Sequence, residues 1–312
     1  MLKSPKSPLL VLALLLLTSS WNVQANGKKA RTGNRSDAIL LQQSPVIDYV
    51  RPNLNYGDGK FAGPADMWNP KKGFLVQSIN PESYNLNFPT TGADGLHFDL
   101  LITGIDVREL TWEPVTHEGI TATVTNVKNH DVWIPPEDWG KFVARVKLTG
   151  PEARNQWDNP NPSRIAKPKL PQTFELVGRD IYGVEVVKYG FVLRQWFVHR
   201  GYLGHSLYGK QLAWCNSIGY QMPRVRDLTN HRARFSLGYR RHIGAGFFTE
   251  WGNMHLYEDG GRLYFNDCNW TIDVIDNSQL YVLALMGTIQ SEYRPAMGTH
   301  ECGVICASNL SP

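Results

Sequence analysis

The sequence predicts a mostly β chain in two parts, a small β-sandwich followed by a cysteine-braced α+β domain. Three observations carry that expectation. At 312 residues the chain is long for one small domain and suits two. Its 28 glycines and 19 prolines cut it into short apolar runs, which favours strands joined by turns over long helices. All four cysteines, Cys215, Cys268, Cys302 and Cys306, fall in the C-terminal part. A hydrophobic content of 42% exceeds what a disordered polymer carries.

Residues 1–25 read as a secretory signal. Lys3 and Lys6 precede the apolar run Leu9 to Leu17, and the segment ends Val23-Gln24-Ala25. About nine continuous apolar residues are half of what crosses a bilayer, and no later stretch reaches spanning length. No stable membrane insertion is expected, and the mature chain is predicted to be secreted. Residues 26–72 are a polar tail and lead-in.

Residues 73–150 carry the sandwich signal. Short runs at 74–76, 96–102, 120–124 and 141–148 read as strands. The last alternates, so that Phe142, Ala144, Val146 and Leu148 share a face. Five prolines within 151–171 exclude helix or central strand and predict a stiff linker or long surface loop, with Trp157 exposed. Beyond it, 184–197 reads as one or two strands. Residues 206–218 read as a helix, with Ser206 as its cap and Gly219 as its left-handed stop. Pro223 could open a second short helix, and 247–248, 263–265, 280–285 and 303–306 read as strands.

Charge excludes one class of partner. The formal net charge is +4, and removing Lys3 and Lys6 leaves 30 basic against 28 acidic residues, or +2. That is too little for a chain whose main partner is nucleic acid. The hydrolase reading also lacks support: histidines are plentiful, but no Gly-x-Ser-x-Gly elbow accompanies them. No enzyme activity and no cofactor are expected.

Disulfides are the default for four cysteines outside the cytosol. A Cys302–Cys306 pair is disfavoured, because a strand would hold those Cα atoms about 13 Å apart. Nested and crossed pairings remain open on spacing alone. A zinc site built on His300, Cys302 and Cys306 with His255 or His242 is set aside, because Cys215 and Cys268 are singletons without a second close pair.

Basic residues concentrate near 224–242. Arg232, Arg234, Arg240 and Arg241, with Tyr239 and Trp251 as aromatic anchors, form a candidate protein-contact face, since Arg, Tyr and Trp dominate interface energetics. The competing reading is a solvated basic loop over buried aromatics; for Trp251, as for Trp196 and Trp214, apolar neighbours point to the core.

Several motifs occur in a familiar order. Tyr189-Gly190-Phe191-Val192-Leu193, Trp196-Phe197-Val198, Ala213-Trp214-Cys215-Asn216-Ser217-Ile218-Gly219-Tyr220, Met222-Pro223 and Ile243 through Asn253 resemble the C-type lectin-like adhesion module of the intimin/invasin group, of the invasin-E type. The resemblance covers about 172–308, within a domain drawn at 172–312. Residues 73–150 are similar in size and pattern to the immunoglobulin-like module that usually precedes it. The resemblance therefore implies an Ig-like β-sandwich followed by a disulfide-braced C-type lectin-like domain. It also implies the nested pairing Cys215–Cys306 and Cys268–Cys302. The Glu-Pro-Asn and Gln-Pro-Asp calcium motifs of sugar-binding relatives are missing, and Phe265-Asn266-Asp267 is the nearest trace of the usual triplet. Calcium-dependent sugar binding is thus disfavoured, and the resemblance implies a protein partner, either a host receptor or a bacterial intimin-like barrel protein. Without a barrel segment of its own, the chain resembles the Zir-type secreted exoproteins of enterobacteria.

Overall fold

A computed structural model describes residues 44–201, 205–232, 237–257, 267–293 and 300–311. The leader and tail expected over 1–43, the strand expected at 263–265, and Arg234 lie outside the described residues. The strands of the first half are β1 (Val46–Arg51), β2 (Trp68–Asn69), β3 (Gly73–Leu75), β4 (Thr91–Ala93), β5 (His97–Thr103), β6 (Thr111–Trp112), β7 (Val115–His117), β8 (Ile120–Lys128) and β9 (Phe142–Thr149). The second half contributes β10 (Gln172–Arg179), β11 (Glu185–Leu193), β12 (Gln195–His199), β13 (Cys268–Ile275), β14 (Ser278–Leu283), β15 (Ile289–Tyr293) and β16 (Ile305–Ala307). Among the described residues, three short α-helices lie between them: α1 (Tyr208–Ser217), α2 (Val225–Leu228) and α3 (Phe247–Trp251).

Period-two alternation builds the main layer, a seven-stranded sheet in the order β2-β3-β1-β5-β9-β8-β7. In β8 and β9, Ile120, Ala122, Val124, Ala144, Val146 and Leu148 are buried. Strand β1 lies inside this sheet, between β3 and β5, so the sandwich starts well before residue 73. The second layer is β11-β10-β6. It stacks on the first through Phe98 against Phe191, with ring centroids 6.0 Å apart, and His117 against Phe174 at 5.1 Å. The border drawn at 172 therefore cuts through the sandwich: β10 pairs with β11 and with β6, and all three close its second face.

The 151–171 segment is packed rather than free. The Trp157 indole donates to the His199 carbonyl at 3.0 Å and lies against the His199 ring, so Trp157 is half-buried instead of exposed. Ile165 N donates to Ile218 O, and the Tyr220 hydroxyl donates to Ala166 O at 2.8 Å. Beyond one 3-10 turn at Arg154–Gln156 the prolines block regular structure, as their fixed φ requires, and the segment becomes a strap across α1.

The C-terminal part holds two small sheets, β16-β12-β4 and the meander β13-β14-β15. Strand β4 comes from the sandwich half of the sequence and pairs parallel with β12, which stitches the two parts together. Helix α1 ends at Gly219 with φ +87°, the left-handed stop that glycine adopts without strain. Its expected cap is absent: Ser206 instead forms a bridge with Cys302, exchanging backbone hydrogen bonds of 3.0 and 3.2 Å. The pair Phe247–Phe248, expected as strand, forms helix α3, with Glu250 N on Gly246 O and Gly252 N on Phe248 O. Two adjacent aromatics carry no period, and here tertiary burial of every residue in the helix decides the conformation.

Both disulfides form in the nested arrangement, Cys215–Cys306 and Cys268–Cys302. One core runs through both parts. From Trp68 it passes to Phe74 at 4.6 Å, Phe88 at 5.1 Å and then Trp251 at 4.9 Å, linking the seven-stranded sheet to α3.

Candidate protein-interaction surface

The aromatic and arginine residues singled out in the sequence separate into two sets. Tyr239, Arg241 and Trp251 are fully buried, so they are not the surface anchors expected of them. The Trp251 indole donates to Thr91 O at 3.0 Å. The Arg241 guanidinium donates to the carbonyls of Asn53, Asn55 and Glu250, and it lies 4.7 Å over the Trp68 ring. Gly252, at φ +82°, leaves it room: a Cβ there would fall 1.9 Å from Arg241 Nη2. Burial lowers the pKa of this guanidinium, and the ring of carbonyls is what allows a charge to stay there.

Arg232 and Arg240 remain at the surface. They line a cleft of about 510 Å³ together with His242, Gly63 and Pro64. A second cleft, of about 450 Å³, is lined by Arg194, Arg226, Thr229, Ala245 and Ser311. Asn230 belongs to the walls of both. Its side chain accepts from Arg240 N at 3.0 Å and donates to Arg240 O at 2.9 Å, which fixes the Arg240 backbone at the junction.

Among the described residues neither cleft has an acidic lining residue. Arg226 Nη2 donates to Ser311 O at 2.7 Å and Arg194 Nη2 to Asn85 O at 2.9 Å, so both guanidiniums are steered by carbonyls and keep donors to spare. Asp227 is buried beside them and accepts from Gln195 Nε2, Arg224 N and Ser311 N, which pins the end of the described chain along the second cleft. Behind the wall lies Glu250. Its carboxylate accepts from the amides and hydroxyls of Thr90 and Thr91 and from Gly244 N, five donors in all. Burial pushes its pKa above the ordinary value against those bonds. Such an enclosed group clamps β4 to the 244–250 segment and offers nothing to a ligand. The arrangement outside can do one thing chemically: hold planar anionic groups by forked hydrogen bonds.

Sequence reasoning found Arg232 and Arg240 from local density. It missed Arg194, which lies between β11 and β12, some thirty residues upstream of the arginine cluster. No local signal marks it, because the topology alone brings that connection beside 226–246.

A group with metal-ligand chemistry also occurs. Cys268, His300 and Cys302 bring their ligand atoms within 4.8 Å of one another. Both sulfurs are bonded to each other, so the trio is not a metal site in this state. Of the calcium-triplet trace, Phe265 and Asn266 lie outside the described residues, and Asp267 is exposed beside His255 Nε2 at 3.4 Å.

No family of known proteins matches the chain, and no curated protein is similar to it in sequence. Its structure does have a counterpart. The crystal structure of invasin, a bacterial integrin-binding protein, superposes with a TM-score of 0.50 at 12% identity, over 85% of this chain and 39% of invasin. The chain is invasin-like in fold. This chain thus spans about two fifths of the invasin structure it matches. A chain of the intimin–Tir90 complex structure is also similar, at 10% identity and a TM-score of 0.39, over 83% of this chain and 98% of that one. The invasin-like fold here consists of the β-sandwich and the disulfide-braced region that share one core.

Proposed function

We propose that the chain is an extracellular, adhesin-like protein that binds another protein and performs no chemistry of its own. The observation that carries this reading is the double cleft around Asn230, where Arg194, Arg226, Arg232, Arg240 and His242 line the walls and, among the described residues, no acid does. The invasin-like fold supports it, as do two disulfides, which suit an oxidising compartment. Among the described residues no helix is long and apolar enough to cross a membrane. In this reading residues 1–25 direct export and are removed. The partner presents carboxylates to the clefts. It is a host surface receptor or, in the narrower Zir-type reading, a bacterial intimin-like barrel protein.

The test is binding of biotinylated chain to intact host cells and to bacterial envelopes, compared with an Arg194→Glu/Arg240→Glu variant. Charge reversal at two rim positions is expected to weaken binding about ten-fold or more and leave folding unchanged. Binding that is indifferent to both reversals and to salt removes the basic surface from the function. Turnover in a glycosidase or esterase screen that survives purification would replace the reading with an enzyme.

A further inference from the structure

The two disulfides differ in surroundings. Cys215 and Cys306 are both fully buried. Cys268 is half-buried, and its bond leads inward to the fully buried Cys302. His300 Nε2 lies 3.2 Å from Cys302 Sγ, within hydrogen-bond reach of sulfur. The imidazole is held in place by three neighbours. The Trp270 ring stands edge-on at 5.4 Å, the Tyr281 ring is tilted against it at 5.0 Å, and the Glu292 carboxylate is 3.9 Å from Nδ1. Carboxylate, imidazole and sulfur therefore stand in a row, with the imidazole Nε2 placed to hand a proton to the sulfur.

We propose that Cys268–Cys302 is an exchange-active disulfide, opened at Cys268 by a small thiol, with His300 delivering a proton to the departing Cys302 sulfur. The external thiolate attacks Cys268 Sγ from the solvent side. A new S–S bond forms there, the Cys268–Cys302 bond breaks, and its electron pair goes to Cys302 Sγ. The proton on His300 Nε2 moves to that sulfur. A second small thiol then attacks the mixed disulfide and releases its oxidised dimer, leaving two protein thiols. Leaving-group stabilisation is one of the factors that set the rate of this exchange.

Opening is local. The backbone of Cys302 stays tied by Gln211 Nε2, which donates to its carbonyl at 2.7 Å, and by the bridge to Ser206. Cys215–Cys306 independently ties α1 to β16. Glu292 acts as a positioning residue, through His300.

The experiment exposes the full-length oxidised chain to reduced glutathione at pH 7, quenches with iodoacetamide and locates alkylation by peptide mass spectrometry. Cys268 and Cys302 are expected to open about ten-fold or more faster than Cys215 and Cys306. A His300→Phe variant, which keeps an aromatic between Trp270 and Tyr281, should slow only the first pair, by about ten-fold. Equal opening of the two pairs in the unmodified chain overturns the proposal by itself. So does an unchanged rate in His300→Phe or, should that variant fail to fold, in His300→Gln.

Discussion

The indole of Trp251 donates to the carbonyl oxygen of Thr91 across 160 positions of sequence, at 3.0 Å. This bond joins helix α3 to strand β4 at the place where the aromatic chain from the seven-stranded sheet enters the C-terminal part. Removing the ring should leave a cavity at that junction. Trp251→Ala is expected to cost about 3–5 kcal/mol, and Trp251→Phe about 1–2 kcal/mol, from the lost hydrogen bond and part of the ring. Urea denaturation followed by fluorescence and far-UV circular dichroism measures both. Coincident transitions are expected because the core is continuous; a separate early transition of one part would show that the parts are energetically independent.

Arg240 and Arg241 are neighbours with opposite roles. Arg241→Ala leaves three carbonyls, two of them buried, without their donor and is expected to destabilise by about 3–5 kcal/mol. Arg240→Ala, at an exposed cleft wall, should stay within about 0.5 kcal/mol of the parent. Thermal melts compare them directly, and equal losses would contradict the burial described here.

Acid should weaken the fold through His199. The ring is buried against Trp157, and Gly201 N donates to its Nδ1. Burial, aided by the charge of Arg154, lowers its pKa to about 3. The unfolded chain protonates this residue near its ordinary value and the fold resists it, so the contribution to stability is complete above about pH 6.5 and is lost as pH falls toward 3. The loss should run at about 1.4 kcal/mol per pH unit within that window. In His199→Gln the pH dependence between 6.5 and 5 should flatten by about one proton, read from urea midpoints; an unaltered slope would assign the effect elsewhere.

The outer disulfide should matter more than the inner one to global stability. Cys215–Cys306 closes a separation of 91 residues and Cys268–Cys302 one of 34. In the chain-entropy account the losses are about 4–5 kcal/mol for a Cys215→Ser/Cys306→Ser variant and about 4 kcal/mol for Cys268→Ser/Cys302→Ser. Denaturant midpoints in oxidising buffer check the order. A reversed order would mean that native-state contacts, rather than loop closure, carry the difference.

The parts of the fold legible in the sequence are those set by near neighbours. The alternation at 141–148 appears as β9, shifted by one residue, and the helical spacing at 206–218 appears as α1 with its stop at Gly219. The motif order around Trp214 and Cys215 implied the nested disulfides, and they form. Strand β1 was hidden in the lead-in. Its neighbours β3 and β5 lie beyond it in sequence, so nothing within 46–51 marks an inner strand. The helical state of 247–251 was hidden for the same reason.

The candidate surface divides along that line. Composition and spacing determined that arginines gather near 224–242, and apolar neighbours pointed Trp251 to the core, but nothing local marked Tyr239, expected as a surface anchor, as buried. Only the tertiary structure decided which arginine faces solvent. Arg241 meets the Asn53 carbonyl 188 positions away, while Arg240 is turned outward by a two-bond contact with Asn230. It also decided that Arg194 joins them, through a strand connection far upstream. Local sequence senses the next turn or pleat, whereas burial and the gathering of like charges depend on chain segments that meet only when the sheets close.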